Sequence, residues 1–204
     1  VSVQYIRHIA NLLVDAGADV NAWLHSAGLP PDALESSTRA LNIRELHHLV
    51  EAARAALQEP ALGLLVGERL RANTHGVLGF AAMQAHTMRE VLQILQAFIA
   101  VRLDIVAFEV IERDDECLLL VREPVPLGLT RLSVLEAVML AVKHLIEFVG
   151  QGRCEVIRVE FPAAEPSYQD FVQRCFRCAI RYNADVAAVV MPAAALDFEL
   201  ATSD

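Results

Sequence analysis

The stretch Leu103-Asp104-Ile105-Val106-Ala107-Phe108-Glu109-Val110-Ile111-Glu112-Arg113-Asp114-Asp115-Glu116-Cys117-Leu118-Leu119-Leu120-Val121-Arg122 decides the fold. Before Leu103 the apolar residues recur every three or four positions. From Ile105 to Ile111 they alternate and are rich in β-branched side chains, the pattern of a half-buried strand. Cys117 to Arg122 has the same character. The polar quartet Arg113-Asp114-Asp115-Glu116 between them is tight, so the two runs read as a β-hairpin. Strands are expected near 104–112 and 117–122.

Upstream of this switch the chain reads as helices. Val3, Ile6, Ala10 and Leu13 share one helical face, and Gly17 closes that segment. Asp19 is placed to cap a short helix through Trp23 and Leu24, with Gly28 at its end. Pro31 can open another short helix. Asn42 and Glu45 form a capping-box pattern ahead of the stripe Ile43, Leu46, Val50, Ala53 and Leu57. Pro60 opens the next helix, through Leu62, Leu65 and Leu70. Thr87 and Glu90 repeat the capping-box pattern before Val91, Leu92, Leu95, Phe98 and Arg102.

Downstream, Thr130 opens a long helix through Leu135, Val138, Met139, Val142 and Ile146, stopped by Gly150 and Gly152. A third strand is expected near 155–161, a short helix after Pro166, and a fourth strand near 187–191. Helices followed by ββαβαβ make an α+β chain. The expected organisation is a helical N-terminal subdomain over residues 1–72 and an α+β subdomain with a small antiparallel sheet over 73–204.

Composition narrows the function. The chain has 204 residues, 55% of them hydrophobic, and a net charge of -9. Its mean hydropathy of +0.39 raises the question of a membrane. The longest apolar runs, 77–83 and 186–196, fall well short of the roughly 18 residues that a spanning helix needs. Lys143 is the single lysine and the sixteen arginines are scattered, which makes a poor surface for phosphates. The four cysteines have no regular spacing, and a reducing cytoplasm suits them.

Catalytic signatures are missing. There is no GxSxG, HExxH, GxxxxGK[ST] or GxGxxG, so no enzyme is expected, and no cofactor. Cys175-Phe176-Arg177-Cys178 has a metal-like spacing, but a structural zinc takes four ligands, usually as two such pairs. Two small, partly buried thiols at a helix end are the commoner outcome.

Four residues stand out as candidates for ligand binding: His75, Phe80, Gln84 and Arg102. His75 abuts the glycine step Gly76 to Gly79, where a backbone can approach a ligand or another helix closely. Phe80 offers an aromatic wall, Gln84 a neutral polar group and Arg102 a positive charge for an acidic ligand. The plainer readings are a packed histidine, glycines that permit tight helix packing, and an Arg102 paired with an internal Asp or Glu.

Three stretches in order resemble one family. Glu59-Pro60-Ala61-Leu62-Gly63-Leu64-Leu65-Val66-Gly67 is the first, and His75 to Ala81 running to Thr87–Leu92 the second. The third is Val159-Glu160-Phe161-Pro162 with Pro166, Phe176 and Ile180–Ala184. Together they resemble the N-terminal, arabinose-binding-like effector domain of AraC-type transcription regulators. Where the family pattern has glycines, this chain has Arg177 and Asn183. It also has Ala179 for a proline and Ala187 for an asparagine. The resemblance implies a bacterial, cytoplasmic sensor of a small effector, forming a homodimer. DNA would be bound through a C-terminal helix-turn-helix domain that would follow Asp204 and is absent from this chain. Three other classes stand beside this one: a haem or metal cofactor sensor, an enzyme of small-molecule metabolism with catalytic groups scattered in sequence, and a dimerisation module without a ligand.

Overall fold

The computed structural model describes residues 1–35, 39–70 and 77–200. Six helices come first: α1 (Val3–Asp15), α2 (Val20–Ser26), α3 (Ile43–Leu57), α4 (Leu62–Arg69), α5 (Val77–Met83) and α6 (Met88–Arg102). The hairpin strands β1 (Ala107–Arg113) and β2 (Glu116–Arg122) follow. Then come the long α7 (Arg131–Gly150), β3 (Arg158–Glu160), α8 (Gln169–Phe176), β4 (Ala179–Arg181) and β5 (Ala187–Pro192). The α+β class expected from the sequence is what the chain adopts.

Local chemistry sets the helix starts. The Asp19 carboxylate accepts the Asn21 and Ala22 N–H groups and starts α2. Asn42 and Glu45 make both hydrogen bonds of a capping box at α3, each 2.9 Å. At α6 the Thr87 hydroxyl accepts the Glu90 N–H, while the Glu90 carboxylate reaches one residue further back, to the His86 N–H. Residues 31–35 form hydrogen-bonded turns, not the short helix expected after Pro31.

The sheet order is β1-β2-β5-β3-β4. The sequence reading of a small antiparallel sheet needs correcting at one edge. β4 is a fifth strand, and it runs parallel to β3, with Val159 opposite Ile180. A parallel neighbour requires a crossover, and α8 provides it. Three residues are too few to show a period, which is why β4 is invisible in the sequence. At the other edge, the Gln96 side chain on α6 accepts the Val110 N–H at 3.1 Å and occupies part of the open rim of β1.

Alternation divides the sheet cleanly. Phe108, Cys117, Leu119, Val121, Val159, Val189 and Met191 face the helices and belong to the main core. Leu120, Ala188 and Val190 form a separate small cluster on the other face. The main core contains buried residues from both expected subdomains, from Val3 and Leu13 through Leu64 to Met139 and Leu196. The two parts share one interior.

The two residues that replace family glycines both have positive φ: Arg177, at the C-cap of α8, at 51° and Asn183 at 56°. Asn tolerates this conformation. An arginine there costs about 1 kcal/mol that a glycine would not.

α4 packs closely on α7. Gly63 and Gly67, one turn apart, face it. A Cβ on Gly63 would stand 2.3 Å from the Ser133 carbonyl oxygen, and one on Gly67 2.9 Å from the Leu140 Cβ. The first obstacle is backbone and cannot swing away. Gly63→Ala is therefore expected to destabilise the chain at the upper end of ~1–3 kcal/mol. Gly67→Ala should cost about 1 kcal/mol or less, because alanine's better helix propensity offsets part of the crowding. Urea unfolding of both variants checks the order. Equal losses, or a stabilised Gly63→Ala, would contradict the close approach.

Candidate functional site

Where α1, α3, α4, α6, α7 and β1 converge, the core does not close. A cavity of about 100 Å³ remains. α1 contributes Tyr5, Ile6 and Ile9, and α6 contributes Leu95 and Ile99. α7 supplies Ser133, Val134, Ala137, Val138, Ala141, Val142 and Leu145. Leu46 and Val50 of α3, Leu62, Gly63 and Val66 of α4, and Phe108 of β1 complete most of the wall. Tyr5 and Ser133 carry its hydroxyl groups; the other side chains are hydrocarbon. Tyr5, Val66, Leu103 and Val138 keep 7–9% of their surface accessible, against 0% for Leu13, Leu49 and Leu64 deeper in the core. By the usual dependence on cavity size, an unfilled space of this volume costs about 2 kcal/mol of stability.

Arg102, the last residue of α6, stands behind Tyr5. Its guanidinium hydrogen-bonds the Gln4 side-chain oxygen and the Tyr5 hydroxyl. Its Nε is buried without an acceptor. Among the described residues no carboxylate comes within ion-pair distance of it. The internal Asp or Glu favoured by the sequence reading is thus replaced by two neutral groups. Burial raises the Tyr5 phenol above its usual value, and the Arg102 charge opposes that rise.

The other expected ligand residues are not gathered there. Phe80 is 62% exposed on α5, and Gln84 is exposed in the turn after it. Neither lines the cavity. His75 falls outside the described residues. The aliphatic lining was missed because its residues come from helices far apart in sequence and look individually like ordinary core. A usable signal was the run of small residues Ser133, Ala137 and Ala141 along one face of α7.

Beside the cavity lies Glu136, 1% exposed. The Tyr168 hydroxyl donates to its Oε1 at 2.9 Å, while Oε2 is buried without a partner. Burial lifts this carboxyl from 4.5 to about 8, with the Tyr168 hydrogen bond and the charge of Arg54 opposing. A second, polar cleft runs between α4, α7 and α8. In it the buried Lys143 pairs with Glu147 at 2.6 Å, His144 lies 3.7 Å from Glu68, and Arg174 and Arg177 add positive charge. Cys175 and Cys178 lie at the end of α8 and just before β4. Burial pushes both thiols up to about 11, which keeps them protonated and poorly nucleophilic.

A helical layer thus encloses an apolar cavity against a small mixed sheet. The chain belongs to the family described as the arabinose-binding domain of AraC transcription regulators, N-terminal part, whose family model matches residues 17–200. It is 24% identical, over all 204 residues, to the ornithine utilization regulator of Pseudomonas aeruginosa, and covers 60% of that protein. The crystal structure of the transcriptional regulator CdpR from the same organism matches 98% of the chain with a TM-score of 0.68 and 18% identity. The match covers 58% of that chain. The chain therefore spans about three fifths of the length of these relatives. No helix among the described residues is long and apolar enough to cross a membrane.

Glu136 gives a pH test. Its folded-state pKa is raised, so the folded chain holds this proton more tightly than the unfolded chain. The resulting stability is full below about pH 4.5 and is lost as pH rises toward 8. The loss approaches about 1.4 kcal/mol per pH unit. Glu136→Gln keeps the acceptor for Tyr168 and removes the ionisation. Its unfolding free energy should fall less than the parent's between pH 5 and 8, and exceed the parent's at pH 8. Parallel pH profiles for the two proteins would contradict the buried carboxyl.

Proposed function

We propose that this chain is the effector-sensing and dimerisation domain of an AraC-type transcription regulator, and that its effector binds in the cavity between α1, α6 and α7. The cavity carries this reading: a space lined by side chains from five helices and a strand is where a small molecule can bias how those elements pack. An effector shifts such a balance only if it binds one arrangement more tightly than the other. No catalytic role is proposed. DNA contact belongs to a further domain, in keeping with the charge of -9. Four free cysteines, three of them buried, suit a reducing cytoplasm.

Ornithine, in the name of one relative, and arabinose, in the family's description, suit this cavity poorly. Ornithine brings ammonium groups, and arabinose a ring of hydroxyls. Both need several polar partners when desolvated. The wall offers two hydroxyl side chains and no carboxylate. Nor does it offer the imidazole or thiolate that a haem or metal would require.

The outer face of α6 supports self-association. Ala97, Phe98 and Val101 are exposed, Phe98 by 55% and Val101 by 79%, and Ile94 is half-buried beside them. These positions form a helical stripe flanked by the neutral Gln93 and Ala100. Packed against itself about a two-fold axis near Ala97, the stripe sets Ile94 against Val101 and brings no like charges together.

Two measurements test the proposal. In a thermal-shift screen over small acids, alcohols, sugars and amino acids, at least one compound should raise the melting temperature. Ala141→Leu, which fills the cavity, should melt higher than the parent and lose the response. A response that persists in Ala141→Leu would place the effector elsewhere. In sedimentation at tens of micromolar the chain should be a dimer and Phe98→Glu a monomer. A monomeric parent would overturn the dimer.

A further inference from the structure

We propose that the effector is a small aliphatic carboxylic acid, with its hydrocarbon end in the cavity and its carboxylate against Tyr5 and Arg102. This rests on the cavity being the effector site. Two independent features of the structure lead to it.

The first is the wall. Apart from Tyr5 and Ser133 it presents Ile, Leu, Val, Ala and Phe side chains. A space so lined stays dry and gains nothing from a polar occupant, whereas hydrocarbon fills it favourably. Its size sets the scale of the ligand. An apolar cavity of ~150 Å³ accommodates benzene. A space of about 100 Å³ is smaller, so it takes about four carbons, the hydrocarbon end of a six-carbon acid whose carboxyl lies outside it.

The second is the unbalanced cation at one side of it. Tyr5 both lines the cavity and hydrogen-bonds Arg102. Arg102 spends one N–H on the neutral Gln4 oxygen and leaves its Nε buried without an acceptor. A half-buried guanidinium is ordinarily matched by a carboxylate in forked geometry. Here its hydrogen-bond partners among the described residues, Gln4 and Tyr5, are neutral, and the nearby Asp104 carboxylate is taken by the Val1 ammonium at 2.9 Å. A ligand carboxylate beside Tyr5 accepts from the phenol and from the free guanidinium N–H, and it neutralises the charge. An alcohol of the same length fills the same space and can accept one of these hydrogen bonds, but it brings no charge to set against the guanidinium.

Calorimetric titration of the 204-residue chain with sodium hexanoate, hexan-1-ol, L-ornithine and L-arabinose separates the outcomes. Hexanoate should bind saturably and at least tenfold more tightly than hexan-1-ol. Arg102→Gln and Tyr5→Phe, each checked for folding by circular dichroism, should weaken hexanoate at least tenfold and hexan-1-ol far less. Arg102→Lys should restore part of the hexanoate affinity. Ala141→Leu should abolish both. If hexan-1-ol binds as well as hexanoate, or both Arg102→Gln and Tyr5→Phe bind hexanoate normally, the carboxylate contact is wrong while the cavity remains the effector site. If L-ornithine or L-arabinose binds and hexanoate does not, the ligand class is wrong and the sensing role stands. If hexanoate binds equally to Ala141→Leu, both the ligand's position and the cavity reading fall.

Discussion

The approach of α4 to α7 at Gly63 and Gly67 is the constraint on which the rest of the interior depends. With glycine at both positions the helix backbone rests directly on Ser133, Ala137 and Leu140. That contact holds α4 at one side of α7. The remaining wall of α7, with its small residues Ser133, Ala137 and Ala141, then faces α1, α3 and α6 across a gap too wide for those side chains to close. Larger residues on α7 would fill it and add stability. The space is left open at the expense of packing, and the proposed effector site rests on it.

α7 joins the two parts of the chain. It follows the β1–β2 hairpin, packs on α4 and α6, and contacts β5 of the sheet. A ligand seated against Val134, Ala137 and Ala141 touches the helix that the helical layer and the sheet share. Any preference of the ligand for one setting of α7 therefore reaches both layers, and the exposed face of α6 as well. The buried carboxyl of Glu136 sits on the same helix, next to Gly63. This links the stability of the α4–α7 contact to pH through a group that does not itself line the cavity.

Most of the fold was legible in the sequence because it was written locally. The caps at Asp19, Asn42 and Thr87, the period switch after Leu103 and the turn at Asp114-Asp115 each rest on residues a few positions apart. What failed was non-local or too short. The three residues of β4 carry no period, and their parallel pairing depends on where α8 delivers them. The site was only partly readable. The sequence shows Arg102 as a cation in need of a partner, and the structure sets it behind Tyr5, which lines the cavity. Phe80 and Gln84 stand beside the glycine step in sequence, and the fold leaves both exposed and away from the cavity. The cavity itself could not be read, because a void is a property of six elements brought together.

The most direct test of the account is a crystal of the chain pressurised with xenon, which enters apolar cavities without needing a polar contact. The account predicts xenon density between α1, α6 and α7, bounded by Ile9, Ile99, Ala137 and Ala141. A closed, fully packed junction at that place, with no xenon in it, would contradict the claim that the core is built around a binding space.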